Sequence, residues 1–108
     1  MNSNEQAYHR QLTLERIAAQ TALSRLLARG AADAADRQQR DHLSHKVRRI
    51  EAALARLDRG DGFGVCQQCG QAIQPERLAL LPYAELCVTC QRRLERQTLG
   101  LRVLYPAT

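Results

Sequence analysis

Four cysteines stand as Cys66-x2-Cys69-x17-Cys87-x2-Cys90. Two residues between the members of a pair let one tight turn aim both sulfurs at one ion, and thiolates are favoured ligands for zinc. The spacing falls in the range of four-cysteine zinc sites. Four protein ligands close a tetrahedron and leave no position for water or substrate, so the metal chemistry expected is structural, with one Zn2+. Gly70, directly after the first pair, suits the turn. Disulfides would need an oxidising compartment, for which nothing in the sequence argues. A redox C-x-x-C would need a βαβ context, which is absent, and an iron–sulfur cluster is a minor alternative.

Two carboxylates form the second constellation. Asp33 and Asp36 lie three apart in RGAADAADRQQR, where one helix breaks and another starts. Asp33 is a good N-cap, and Asp36 in a first turn favours the positive end of the helix macrodipole. Capping is their plainest role. His42 and His45, at i and i+3, have no third ligand nearby and read as solvated helix residues, and His9 is assigned nothing.

The elements that must position these groups are helical. Ser3-Asn4-Glu5-Gln6 reads as a capping box opening a first helix, which runs to about Ala28 without Gly or Pro. Leu12, Ala19, Leu23 and Leu26 mark one stripe. Leu14, Ile17 and Leu27 lie off it, so this helix has more than one surface to satisfy. Gly30 closes the helix and Asp33 opens the next. There Leu43, Val47, Ile50, Leu54 and Leu57 recur at +4, +3, +4, +3, the seam of a helix lying along a partner. The short connection at 29–32 predicts an antiparallel hairpin over residues 1–59, roughly 40 Å long, with its tip at 29–38. Gly60, Gly62 and Gly64 end it. A cysteine-bearing module with a short C-terminal helix occupies 60–97, and 98–108 reads as a tail. The fold class expected is mainly α: a helical hairpin with a small C4 zinc finger.

Composition bounds the function. At 108 residues with one Phe, three Tyr and no Trp, the chain buries a small core and has no aromatic base-stacking surface. The net charge is +5; four thiolates (−4) and one Zn2+ (+2) would bring it to +3. That excess permits an anionic partner without demanding nucleic acid. The polar N-terminus and the lack of a long apolar run predict a cytoplasmic protein with no membrane segment. No nucleophile–base pair and no phosphate loop argue for an enzyme.

The segment GDGFGVCQQCGQAIQPERLALLPYAELCVTCQ resembles the finger of the DksA/TraR family of bacterial transcription regulators. Beyond the cysteines, the matching features are Phe63-Gly64, Gly70, Ile73, Arg77-Leu78, Pro82 and Leu86. Upstream, Asp33-Ala34-Ala35-Asp36-Arg37 fits the D-x-x-D motif at the tip of that family's hairpin, so the resemblance covers roughly residues 10–97. It implies a monomer that binds RNA polymerase rather than DNA. The hairpin of such proteins enters the secondary channel, their acidic tip approaches the active-site region, and promoter complexes are altered. Several members act with ppGpp.

The sequence departs from the family pattern in three places. The tip motif often continues D-x-x-D-x-A, and here the last position is Gln38. The second helix looks about three turns shorter than in long-armed members. Basic residues that serve ppGpp in some members are replaced by Leu81 and Gln91, which predicts a weak response or none. Arg48, Arg49, Arg56, Arg92 and Arg93 are candidates for a polymerase-docking face; a solvated helix face is the plainer reading. The alternative functions are a zinc-finger nucleic-acid binder and a structural adaptor.

Overall fold

The computed structural model describes residues 1–30 and 33–104, with side chains to Thr98. The chain divides into two compact units, Met1–Phe63 and the segment from Gly64 onward.

The first unit is the hairpin. Helix α1 spans Ser3–Ala28 and α2 spans Ala34–Arg59. The N-cap of α1 is Asn2, not Ser3: the Asn2 side chain accepts from the Glu5 N–H at 2.8 Å, and the Glu5 carboxylate accepts from the Asn2 N–H at 3.4 Å. The reciprocal pattern therefore sits one residue before the box expected at Ser3–Gln6. Asn caps as well as Ser, and Glu5 supplies an anion to the first turn. At the same end of the hairpin α2 stops on Gly60, whose φ of 69° is a left-handed conformation that costs glycine little.

The two helices pack against each other along the expected stripes. Leu12, Ala19 and Leu26 of α1 are buried, as are Val47, Ile50, Ala53, Leu54 and Leu57 of α2. Leu23 and Leu43 are half-buried. The pairing is antiparallel. Near the helix termini at 3 and 59, the Tyr8 and Phe63 rings lie 5.3 Å apart and His9 Nε2 lies 3.3 Å from Asp58 Oδ1; at the other end Arg29 reaches Asp36. Leu14, Ile17 and Leu27 are exposed.

Ile50 is fully buried at the middle of this seam. Ile50→Ala removes buried atoms and leaves a cavity, so we expect a loss of about 2–5 kcal/mol. Urea unfolding checks this. A loss below about 1 kcal/mol would contradict the packing of the seam.

The second unit is built around the cysteines. Val65 and Ala72 form an isolated antiparallel bridge, α3 spans Pro75–Leu80, and α4 spans Val88–Leu104. Among the described residues Ile73, Leu78 and Pro82 are its buried apolar ones besides the cysteines. The C-terminal helix is longer than the sequence suggested: 98–104, assigned there to a tail, continue α4. The helix continues through Gly100, and one glycine costs a helix only about 1 kcal/mol. The remaining tail residues, 105–108, and Ala31 and Ala32 of the hairpin connection lie outside the described residues.

Candidate metal centre and hairpin tip

Each cysteine pair is held by its own turn. After Cys66 the chain reverses: the Gly70 N–H donates to the Cys66 carbonyl at 3.0 Å and the Cys66 N–H to the Gln71 carbonyl at 2.8 Å. Gly70 takes φ 76° in this turn. The second pair lies at the start of α4, where the Gln91 N–H donates to the Cys87 carbonyl at 2.9 Å and the Cys90 N–H points at Cys87 Sγ at 3.4 Å. Backbone and side-chain bonds tie the two halves together. The Gln67 N–H donates to the Glu85 carbonyl at 2.8 Å, and Arg77 Nε donates to the Leu86 carbonyl at 2.9 Å.

These turns bring Cys66, Cys69, Cys87 and Cys90 together, with every sulfur within 4.8 Å of the others. Cys69 Sγ and Cys87 Sγ are 3.8 Å apart. That is far beyond a disulfide of about 2.05 Å. It matches the edge of a tetrahedron with zinc–sulfur bonds of about 2.3 Å, which is about 3.8 Å. The donor set therefore fits a zinc ion. Cys66, Cys87 and Cys90 are buried and Cys69 is exposed.

The electrostatics of the bare thiols agree with this reading. Burial pushes the Cys66 thiol up, but N–H groups of Cys87, Cys69 and Gln68 outweigh it and bring the thiol down to about 6. Cys90 is pushed up to about 12, first by burial and then by the three neighbouring cysteines. One thiolate forms readily and the last is resisted by its neighbours. Four thiolates at this separation need a divalent cation among them.

At the tip, both aspartates have local work. Asp33 is the N-cap of α2, its Oδ1 accepting from the Asp36 N–H at 2.8 Å. Arg29 Nη2, at the end of α1, donates to Asp36 Oδ1 at 3.3 Å. The Asp36 side chain keeps 30% of its surface exposed, and Asp33 is exposed. Asp33 uses one carboxylate oxygen for the cap, so the same residue can cap the helix and present charge. Gln38 is exposed and lines a shallow hollow with Ala35, Gln39 and His42.

The other candidates separate. His42 and His45 are both exposed, and among the described residues no metal-ligating cluster includes them. Arg48, Arg49, Arg92 and Arg93 are exposed. Arg56 differs from these in being half-buried: its Nε is buried without a hydrogen-bond partner, and its Cδ lies 3.3 Å from where a Cβ on Gly62 would stand. The sequence reading missed Arg29, whose partner lies seven residues away across the connection.

Residues 62–96 match the prokaryotic dksA/traR C4-type zinc finger. The finger of this chain is thus of the dksA/traR C4 type. It is 41% identical over 56 residues to the RNA polymerase-binding transcription factor DksA of Haemophilus influenzae, a match covering 52% of this chain and 38% of that protein. The matched segment thus spans a little over a third of that curated relative's length. The solved structure of transcription factor DksA2 from Pseudomonas aeruginosa is similar with a TM-score of 0.71 and 26% identity, covering 90% of this chain and 87% of that one. The RNA polymerase binding protein and transcriptional regulator Dks from Chlamydia trachomatis shares the fold with a TM-score of 0.60 at 18% identity, covering 92% and 95%. The DksA-like hairpin-and-finger fold extends over nearly the whole chain, well beyond the finger. Among the described residues no helix is long and apolar enough to cross a membrane.

Proposed function

We propose that this protein is a transcription regulator that binds RNA polymerase, with the hairpin entering the secondary channel and Asp33 and Asp36 approaching the active-site region. The observation that carries the reading is the pair of carboxylates at the turn of a hairpin that precedes a DksA/TraR finger in the same chain. A stiff arm suits the task because it orders its tip before binding and loses less entropy on arrival. The tip charges act only where they meet a cationic or metal-proximal group on arrival. Arg48, Arg49, Arg92 and Arg93, all exposed, are the candidate docking cations. The protein acts as a cytoplasmic monomer without sequence-specific DNA contacts.

One structural Zn2+ held by Cys66, Cys69, Cys87 and Cys90 fixes the finger, and no reaction step runs through it. Binding of the purified full chain to RNA polymerase tests the function. A complex with micromolar or tighter affinity is expected; a gel shift on DNA alone, with no polymerase complex, would favour the nucleic-acid reading.

We also propose that the protein acts independently of ppGpp. Leu81 and Gln91 carry no positive charge, and the Gln91 amide donates to Glu95 Oε1 at 3.3 Å, which adds a carboxylate where a bis-diphosphate would need cations. Transcription assays with and without ppGpp are expected to agree within about twofold. A fivefold or greater synergy would contradict this.

A further inference from the structure

The tip of the hairpin is less acidic than its two aspartates suggest. Residues 29–38 hold Arg29 and Arg37 against Asp33 and Asp36, so two positive and two negative charges leave the segment formally neutral. A neutral tip has little net field to draw in a distant cation, and its carboxylates act through close contacts. At that range the direction in which each carboxylate points decides what it meets.

The two aspartates are directed by different bonds. Asp33 is fixed by the cap, its Oδ1 accepting from the Asp36 N–H at 2.8 Å. The Asp36 carboxylate is held from the other helix, where Arg29 Nη2 donates to its Oδ1 at 3.3 Å. Both ends of that tie stand on bonded backbone. The Arg29 N–H donates to the Arg25 carbonyl at 3.2 Å in the last turn of α1, and the Arg37 N–H donates to the Asp33 carbonyl at 3.1 Å in the first turn of α2. Without the tie the Asp36 side chain is left to its staggered rotamers; with it, one direction is favoured. The stability gained is small, because the Arg29 and Asp36 side chains keep 68% and 30% of their surface exposed. The buried seam already holds the helices together, so orientation is what the tie adds.

We infer that Arg29 is a positioning residue, which sets the direction of the Asp36 carboxylate before the tip meets RNA polymerase. This inference rests on the polymerase-binding reading and adds a residue to the working tip. A side chain ordered in advance does not have to be ordered on arrival. Arg25, one turn earlier on α1, carries the same charge and is exposed, but among the described residues it makes no ion pair. It serves as the control for charge alone.

Regulation of a ribosomal RNA promoter at saturating protein tests the inference, with affinity for purified polymerase measured in parallel on the full zinc-loaded chain. The variants are Arg29→Ala, Arg29→Lys and Arg25→Ala; circular dichroism and zinc content check that each folds. Arg29→Ala is expected to reduce the regulatory effect about threefold to tenfold while binding stays within about twofold of wild type. Arg29→Lys keeps a charged donor on a long stem and should recover about half of that loss or more. Arg25→Ala should act as wild type does. Undiminished regulation by Arg29→Ala would overturn the inference, and stronger regulation would make Arg29 a screen over Asp36 instead. An equal loss in Arg25→Ala would replace positioning by total charge. Weaker polymerase binding by Arg29→Ala would make Arg29 itself a polymerase contact. These results leave the polymerase-binding reading standing; a wild-type chain that does not bind polymerase would remove both together.

Discussion

Cys87→Ser is expected to unfold the finger. Cys87 is buried, its sulfur lies 3.8 Å from Cys69 Sγ, and that sulfur faces the Cys90 N–H. Few apolar side chains support this unit: among the described residues Ile73, Leu78 and Pro82 are its buried ones besides the cysteines. A core that small does not outweigh the entropy of ordering the segment without help. In comparable fingers the metal supplies an apparent 10–16 kcal/mol or thereabouts, and its loss is the loss of folding. Stripping zinc with a strong chelator is expected to have the same effect. In amide NMR spectra the resonances from Gly64 through Thr98 should collapse, while those of the α1–α2 seam, with its own buried stripe, should persist. Metal analysis of the intact chain should give one zinc. Retained dispersion in the finger after verified metal loss would contradict this account.

The second large effect is at the tip. Asp33→Asn/Asp36→Asn should abolish regulation of a ribosomal RNA promoter while leaving polymerase binding within a few-fold. The choice of Asn separates charge from capping. Asn caps a helix about as well as Asp, so α2 keeps its start. The Arg29–Asp36 pair is lost, but it is solvent-exposed and contributes only about 0–1 kcal/mol. Stability should therefore change little, and a loss of regulation reports on the carboxylates. Asp33→Ala supplies the complementary measurement. Removing the cap as well should add about 1 kcal/mol of destabilisation, read in thermal unfolding. If the neutral double variant regulates as wild type does, the two aspartates serve only the helix.

Much of this architecture was legible from residue types. The clustering of the four cysteines followed from spacing alone, because a two-residue gap constrains two sulfurs to one side of a turn. The hairpin seam followed from the 3–4 alternation of Leu43, Val47, Ile50, Leu54 and Leu57, and its limits from Gly30, Asp33 and Gly60. Other features were hidden for physical reasons. Asn2–Glu5 and Ser3–Gln6 satisfy the same capping pattern, and a one-residue shift is below what pattern can resolve. Helix α3 has six residues, too few for an apolar period to show, although Pro75 at its first position is a start signal. Ala53 is fully buried in the seam, yet a small residue leaves little trace in a search for large apolar ones. Arg56 reads as a solvated residue by its charge, yet its Nε is buried and its stem lies beside Gly62. Arg29 meets Asp36 only because the chain reverses between them.

The central claim concerns where the tip goes, and a position-specific contact tests it most directly. Ala35 is exposed between the two aspartates of the D-x-x-D motif, so a photocrosslinking residue there displaces nothing in the seam. Irradiated with purified RNA polymerase, it is expected to join residues lining the secondary channel near the active site. A crosslink confined to the polymerase exterior, obtained with a chain that still binds, would contradict the account.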